Sequence, residues 1–279
     1  MKKILFLSLF QMCFVIGLYA QNKTINVMSF NIRMNTPNDG ENAWPNRKQW
    51  VGDVIKFNSV DILGCQEVLV DQLHDLEKEL PHMSYVGVGR DDGKEGGEFS
   101  PIFYNTKEFK LIDSGTFWLS KNPEEPSKGW DAALPRICTW IKVKHKHSKR
   151  TMIVMNTHYD HMGDEARIES SKLIAKKAQE FSNNGKISVV LMGDLNSSPN
   201  STAVMELQNV FQDTKTLSLT NPLGPAGTFQ AFDYNAELKE QIDFIMTYGY
   251  FKVLRYAHIA EARDKKFPSD HLPVFVEIQ

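Results

Sequence analysis

Ile187-Ser-Val-Val-Leu-Met-Gly-Asp-Leu-Asn-Ser-Ser-Pro199 decides how the rest of the chain is read. It starts as a short apolar run, the pattern of a buried strand. It breaks at Gly193 into turn-forming residues, where a strand leaves its sheet. Asp194 and Asn196 stand two residues apart, so in extended backbone both side chains leave one face. A carboxylate there holds a cation or accepts a proton, and an amide donates to an anionic oxygen. The pairing suits chemistry on a phosphate. Asp and Asn after a strand also make ordinary turns, so the stretch gains its meaning from its neighbours.

Other strand-like segments carry the same kind of polar terminus. Ile25 to Arg33 holds Asn31 and Arg33 near its end, and Val60 to Glu67 ends on a carboxylate. Glu98 to Tyr104 begins on a carboxylate, and Thr151 to His158 ends on an imidazole. Gln241 to Thr247 holds Asp243, and the closing run Ser269 to Ile278 opens with Asp270 and His271. Strand ends on one edge of a sheet converge, and α/β proteins bind ligands there. Between strands, Trp50, Val51, Val54 and Ile55 behind Pro45 make one helical stripe. Leu69, Leu73, Leu76 and Leu80 make a second, stopped by Pro81. Ile174, Ala178 and Phe181 make a third that Asp164 is expected to cap, and Ser201 caps another helix. Arg90 to Gly97 reads as a mobile Gly-rich loop and Lys144 to Arg150 as a solvated hairpin. Helices alternate with strands early and strands dominate elsewhere, which favours a mixed, layered α/β architecture over an all-parallel barrel.

The 279 residues are 42% hydrophobic and 24% charged, enough for a real core. Lys2 and Lys3, the apolar run Ile4 to Leu18 and small Ala20 read as a secretory signal cleaved near Ala20. That leaves residues 21–279 as one exported domain, periplasmic or secreted. The apolar run is short for a membrane span, so stable membrane insertion is not expected. Without the leader the formal charge moves from −2 to −4, 30 basic groups against 34 acidic ones. This excludes the broad basic footprint of a protein that grips long duplexes. Cys65 and Cys138 either pair in an oxidising compartment or stay apart as buried thiols, the reading their apolar surroundings favour. No protein partner is legible.

In this order, Ser-Phe-Asn31, Gln-Glu67, Asn-Thr-His158, Gly-Asp194-Leu-Asn196, Ile-Asp243-Phe and Ser-Asp270-His271 resemble the motifs of the endonuclease/exonuclease/phosphatase superfamily. The resemblance implies a four-layer α/β sandwich: two mixed, mainly antiparallel sheets packed face to face, with helices outside. It also implies metal-assisted in-line attack of water on a phosphate ester. Glu67 would be the main ligand of Mg²⁺ or Mn²⁺, with Asn31 and Asp270 near the same ion. His271, oriented by Asp243, would lie beside the phosphate, and Asn196 would donate to a phosphate oxygen. Asp194 would hold or deprotonate the water, and His158, backed by Glu98, would protonate the leaving oxygen. Whether the aspartate or the histidine takes the water's proton stays open. Arg33 stands where some members carry an acid and, with Arg90 and Arg136, is a candidate substrate contact. Ser197-Ser198-Pro199 replaces the Tyr-Arg of inositol 5-phosphatases and sits closer to the nuclease and deadenylase branch. An exported, Mg²⁺-dependent phosphodiesterase, nuclease-like and acting on nucleic acid, is therefore the first expectation. A phosphatase or sphingomyelinase-like phosphodiesterase is the second, and a non-catalytic binding module the third.

Overall fold

The computed structural model describes residues 24–279, so the leader read from residues 1–20 lies outside the described residues. One sheet contains β1 (Ile25–Asn31), β2 (Ile62–Gln66), β3 (Met83–Val86), β4 (Ile102–Asn105), β11 (Val253–His258) and β12 (Val274–Ile278). The other contains β5 (Phe109–Trp118), β6 (Ile137–His145), β7 (Thr151–His158), β8 (Ser188–Asp194), β9 (Gln212–Asp213) and β10 (Asp243–Tyr248). Their orders are β11-β12-β1-β2-β4-β3 and β5-β6-β7-β8-β10-β9. Only the β1–β2 and β7–β8 pairs are parallel; every other named pair is antiparallel. The expected mixed, mainly antiparallel sandwich is what the chain forms.

Side chains that alternate along the strands build three apolar layers. Val27, Ile62, Val154, Val190 and Ile245 meet between the sheets. Met28, Phe30 and Leu63 face α1 (Trp44–Phe57) and α2 (Val70–Glu79), which supply Val51, Val54, Leu73 and Leu76. Ile153, Val189 and Leu191 face α3 (Asp164–Phe181) and α4 (Thr202–Gln208), which supply Ile174, Ala178, Val204 and Leu207. Two glycines sit where no side chain fits, Gly64 between the two sheets and Gly193 between neighbouring strands of one. A Cβ on Gly64 would lie 2.8 Å from Asn156 and Met192 of the opposite sheet. One on Gly193, at φ 152°, would lie 2.1 Å from the Thr157 carbonyl oxygen. Cys65 and Cys138 are both buried and free.

Some local expectations differ from the fold. Asp164 is the first residue of α3 rather than its cap; Gly163 holds the cap position, and Asp131 accepts from the Ala166 and Glu165 amides. A side chain distant in sequence thus does what a local cap does elsewhere, as Ser201 does for Val204 N. The strand expected from Glu98 begins at Ile102, because Phe99 pairs instead with the Val68 backbone. The loop expected to be mobile is stitched by Gly89 N to Lys94 O, Asp91 N to Gly96 O, and the Asp92 carboxylate. Among the described residues no helix is long and apolar enough to cross a membrane.

Candidate active site

The inter-sheet face is apolar along most of each strand and turns polar at one end. Period-two spacing carries the Val190–Met192 face on to Asp194, the Ile245 face back to Asp243 and the Val154 face on to His158. Register then aligns the three, with Asp194 opposite Asp243 on one side and His158 on the other. Below them Gln66 donates to Asn156 Oδ1 at 2.7 Å, and Asn156 donates to the carbonyls of Cys65 and Pro101. This polar staple joins the sheets under the floor of a cleft of about 490 Å³. Glu67, Glu98, Arg33, Arg136, His158, Asp194, Asn196, Asp270 and His271 line it. Asn31, Asp243 and Arg90 stand directly behind that lining, each bonded to a residue of it.

Asp194 is the hub. Its Oδ1 accepts from the Asn196 amide at 2.9 Å and its Oδ2 from Asn31 Nδ2 at 3.0 Å. The same Oδ2 lies 3.6 Å from His158 Nε2 and 3.8 Å from His271 Nε2. Burial works to raise Asp194, but the two imidazoles outweigh it and hold the carboxyl below its ordinary value. His271 Nδ1 meets Asp243 Oδ2 at 2.9 Å. Burial opposes charge on that ring, yet Asp243 and Asp194 raise it well above the ordinary histidine value.

The second imidazole is held differently. Asn196 Nδ2 donates to His158 Nε2 at 3.1 Å and to the Tyr159 carbonyl at 3.0 Å, which uses both amide hydrogens. Nε2 is then an acceptor, so the ring hydrogen sits on Nδ1, 3.7 Å from Glu98 Oε2. Arg90 grips Glu98 with two bonds of 2.8 Å. Burial pushes Glu98 up, while His158, Arg90 and Arg136 overcome it and hold the carboxyl at about 2.

On the other flank, Asn31 Nδ2 also donates to Glu67 Oε1 at 3.1 Å, and Glu67 Oε2 accepts from the Met34 amide. Glu67 adopts φ 58°, the turn that aims it into the cleft rather than along the strand. Asp270 shares this flank, raised by burial and then, among its charged neighbours, by Glu67. The nearest cation is Arg33, 3.7 Å from Glu67 and 4.0 Å from Asp270, but its bidentate 3.0 Å bonds go to Asp39. A buried and a half-buried carboxylate fit a hard divalent cation, with Asn31 turning its Nδ2 to Glu67 while its Oδ1 accepts from the Arg33 amide. Asp194, Asp243 and His271 also bring three ligand-type atoms within 4.8 Å of one another. Two of them are already bonded together, which favours the Glu67–Asp270 flank as the cradle.

Residues that sequence reasoning passed over complete the site. Arg47, buried in α1, donates to the carbonyls of Ile32, Arg33, Asn42 and Pro268, tying the end of β1 to the segment before Asp270. Within an amphipathic helix it carries no motif. Buried Asp160 accepts from the amides of Ala133, Leu134, Met162 and Gly163 and from Arg136 Nε. His161, beside it, lines the cleft.

Solved structures with the same architecture include a family protein and a mannosyl-6-phosphatase, both from Bacteroides thetaiotaomicron. Each is 35% identical to this chain, with TM-scores of 0.87 and 0.86, covering 92% and 91% of this chain and 95% and 99% of the other. An RNA exonuclease of Saccharomyces cerevisiae is 23% identical over 243 residues, 64% of this chain and 66% of its own. The chain spans 36 to 66% of the lengths of the curated relatives it matches. The model of the endonuclease/exonuclease/phosphatase family matches residues 28–271, from within β1 to the histidine that Asp243 orients. The chain belongs to the endonuclease/exonuclease/phosphatase family, whose members hydrolyse phosphoester bonds.

Proposed function

We propose that this protein is an exported, Mg²⁺- or Mn²⁺-dependent phosphomonoesterase acting on small sugar-phosphate-like esters. The observation that carries this reading is the cleft's charge plan. Its floor is one cluster of carboxylates and imidazoles, and Met34, Leu134, Phe229 and Ile242 add apolar wall beside Arg33, Arg136, Asn196 and His161. The lining cations are Arg33 and Arg136, and each is already paired with a carboxylate, Asp39 or Asp160. A polyanion needs a track of free cations, whereas a single phosphate needs one neutralised pocket. The 35%-identical mannosyl-6-phosphatase supports the same choice. The kinship with an RNA exonuclease keeps a phosphodiesterase as the second reading.

Glu67 and Asp270, with Asn31 beside them, would hold the cation, which neutralises phosphate charge and acidifies water when bound. Asp194, open to both imidazoles, aligns the attacking water and takes its proton. The water oxygen bonds to phosphorus as the ester P–O bond breaks. His271, fixed by Asp243, donates from Nε2 to a phosphate oxygen. His158 Nε2, once it parts from the Asn196 amide and takes the water's proton from Asp194, gives that proton to the leaving oxygen. Phosphate release from a hexose 6-phosphate should exceed hydrolysis of bis-(p-nitrophenyl) phosphate and of an oligonucleotide by at least about tenfold in kcat/KM. The opposite order would move the protein to the phosphodiesterase reading.

A further inference from the structure

The loop that follows β7 places an imidazole on the cleft wall that the chemistry above leaves unused. His161 is exposed, lines the cleft, and bonds through Nδ1 to Arg136 Nη2 at 3.1 Å. A guanidinium only donates. Nδ1 is therefore the acceptor, and the neutral ring carries its hydrogen on Nε2. Among the described residues nothing engages that Nε2.

The support behind it is rigid. Arg136 is 4% exposed, and its Nε points at Asp160 Oδ2, 3.4 Å away. Asp160, 2% exposed, is fixed by four backbone amides drawn from residues 133–134 and 162–163. Two wall loops and one guanidinium thus set the position and tautomer of His161. Arg136 Nη1 is buried without a hydrogen-bond partner among the described residues.

We infer that His161, locked by Arg136 and Asp160, is a specificity-determining residue that donates from Nε2 to an uncharged oxygen of the substrate, a hydroxyl of the esterified sugar. An acceptor-locked ring offers one neutral donor, which matches a hydroxyl better than a second phosphate. A site that hydrogen-bonds a hydroxyl discriminates against esters lacking it. The assignment rests on the phosphomonoesterase reading.

The test compares wild type, His161→Ala and His161→Gln on a hexose 6-phosphate and on p-nitrophenyl phosphate, which has no hydroxyls, with Mg²⁺ present. One hydrogen bond to an uncharged group corresponds to about three- to tenfold. The alanine variant should lose that much more kcat/KM on the hexose phosphate than on the aryl phosphate. The glutamine variant, whose amide still donates, should recover part of the difference. Equal losses on both esters, or a loss that glutamine does not relieve, would overturn the assignment. A wild type that hydrolyses neither monoester but cleaves a diester would overturn the reading beneath it as well, a result readily told apart from the first.

Discussion

Two imidazole–carboxylate pairs face the same Asp194, and they are built on different principles. His271 and Asp243 meet at 2.9 Å, Asp243 on a core strand at 1% exposure. His158 and Glu98 stand 3.7 Å apart, Glu98 delivered by a loop and gripped by Arg90. The first pair is closed: Asp243 opens β10, His271 lies just ahead of β12, and burial of both leaves their contact little room to adjust. The second pair is looser: Nδ1 of His158 is buried 3.7 Å from the Glu98 carboxylate with no hydrogen-bond partner among the described residues. Fixed positioning suits a group that holds the phosphate, and adjustability suits one that passes a proton.

The largest effect should come from the fixed pair. His271→Ala is expected to lose about 10²- to 10⁴-fold in kcat on every ester while remaining folded, at a lowered melting temperature because Asp243 is left buried without its partner. A loss confined to esters with poor leaving groups would collapse the distinction between the two pairs.

Next comes the grip on the adjustable pair. Glu98 is held at about 2 in the fold against about 4.5 when unfolded, so it contributes stability above pH 4.5 that disappears as pH falls toward 2. Glu98→Gln should therefore cost about 3 kcal/mol at pH 7, and denaturation curves of the two proteins should converge across that acid window. Asp91, 3.8 Å from Arg90 but half exposed, replaces only part of the lost partner. Parallel curves at all pH values would show that Glu98 does not carry the charge assigned to it.

The smallest effect sharpens the comparison most. His158→Ala should lose about 10²-fold on an alkyl phosphate but no more than about tenfold on p-nitrophenyl phosphate, whose leaving group needs no proton. Equal losses on both would make His158 a second positioning group like His271.

Much of this was legible in the chain because period-two strands hand their face to whatever residue ends them. Asp194, His158 and Asp243 follow from apolar runs by counting alone. The order of motifs then gave the partners Asn31, Glu67, Asp270 and His271. Glu98 was found as a residue but misplaced as strand, since its position depends on Phe99 pairing with a segment distant in sequence. Arg47, Asp160 and His161 were invisible for a similar reason. Their roles consist of bonds to backbone groups of other loops, and no residue type announces those. Asp131 capping α3 is the same lesson in miniature.

The most direct test is Asp194→Asn, which keeps the side chain's shape and removes the charge between both imidazoles. With Mg²⁺ saturating and the fold verified by its melting curve, hydrolysis of the preferred phosphate ester should fall by about 10³-fold or more. Turnover within a few-fold of wild type would contradict the central claim that both pairs and the cation cradle act through this one carboxylate.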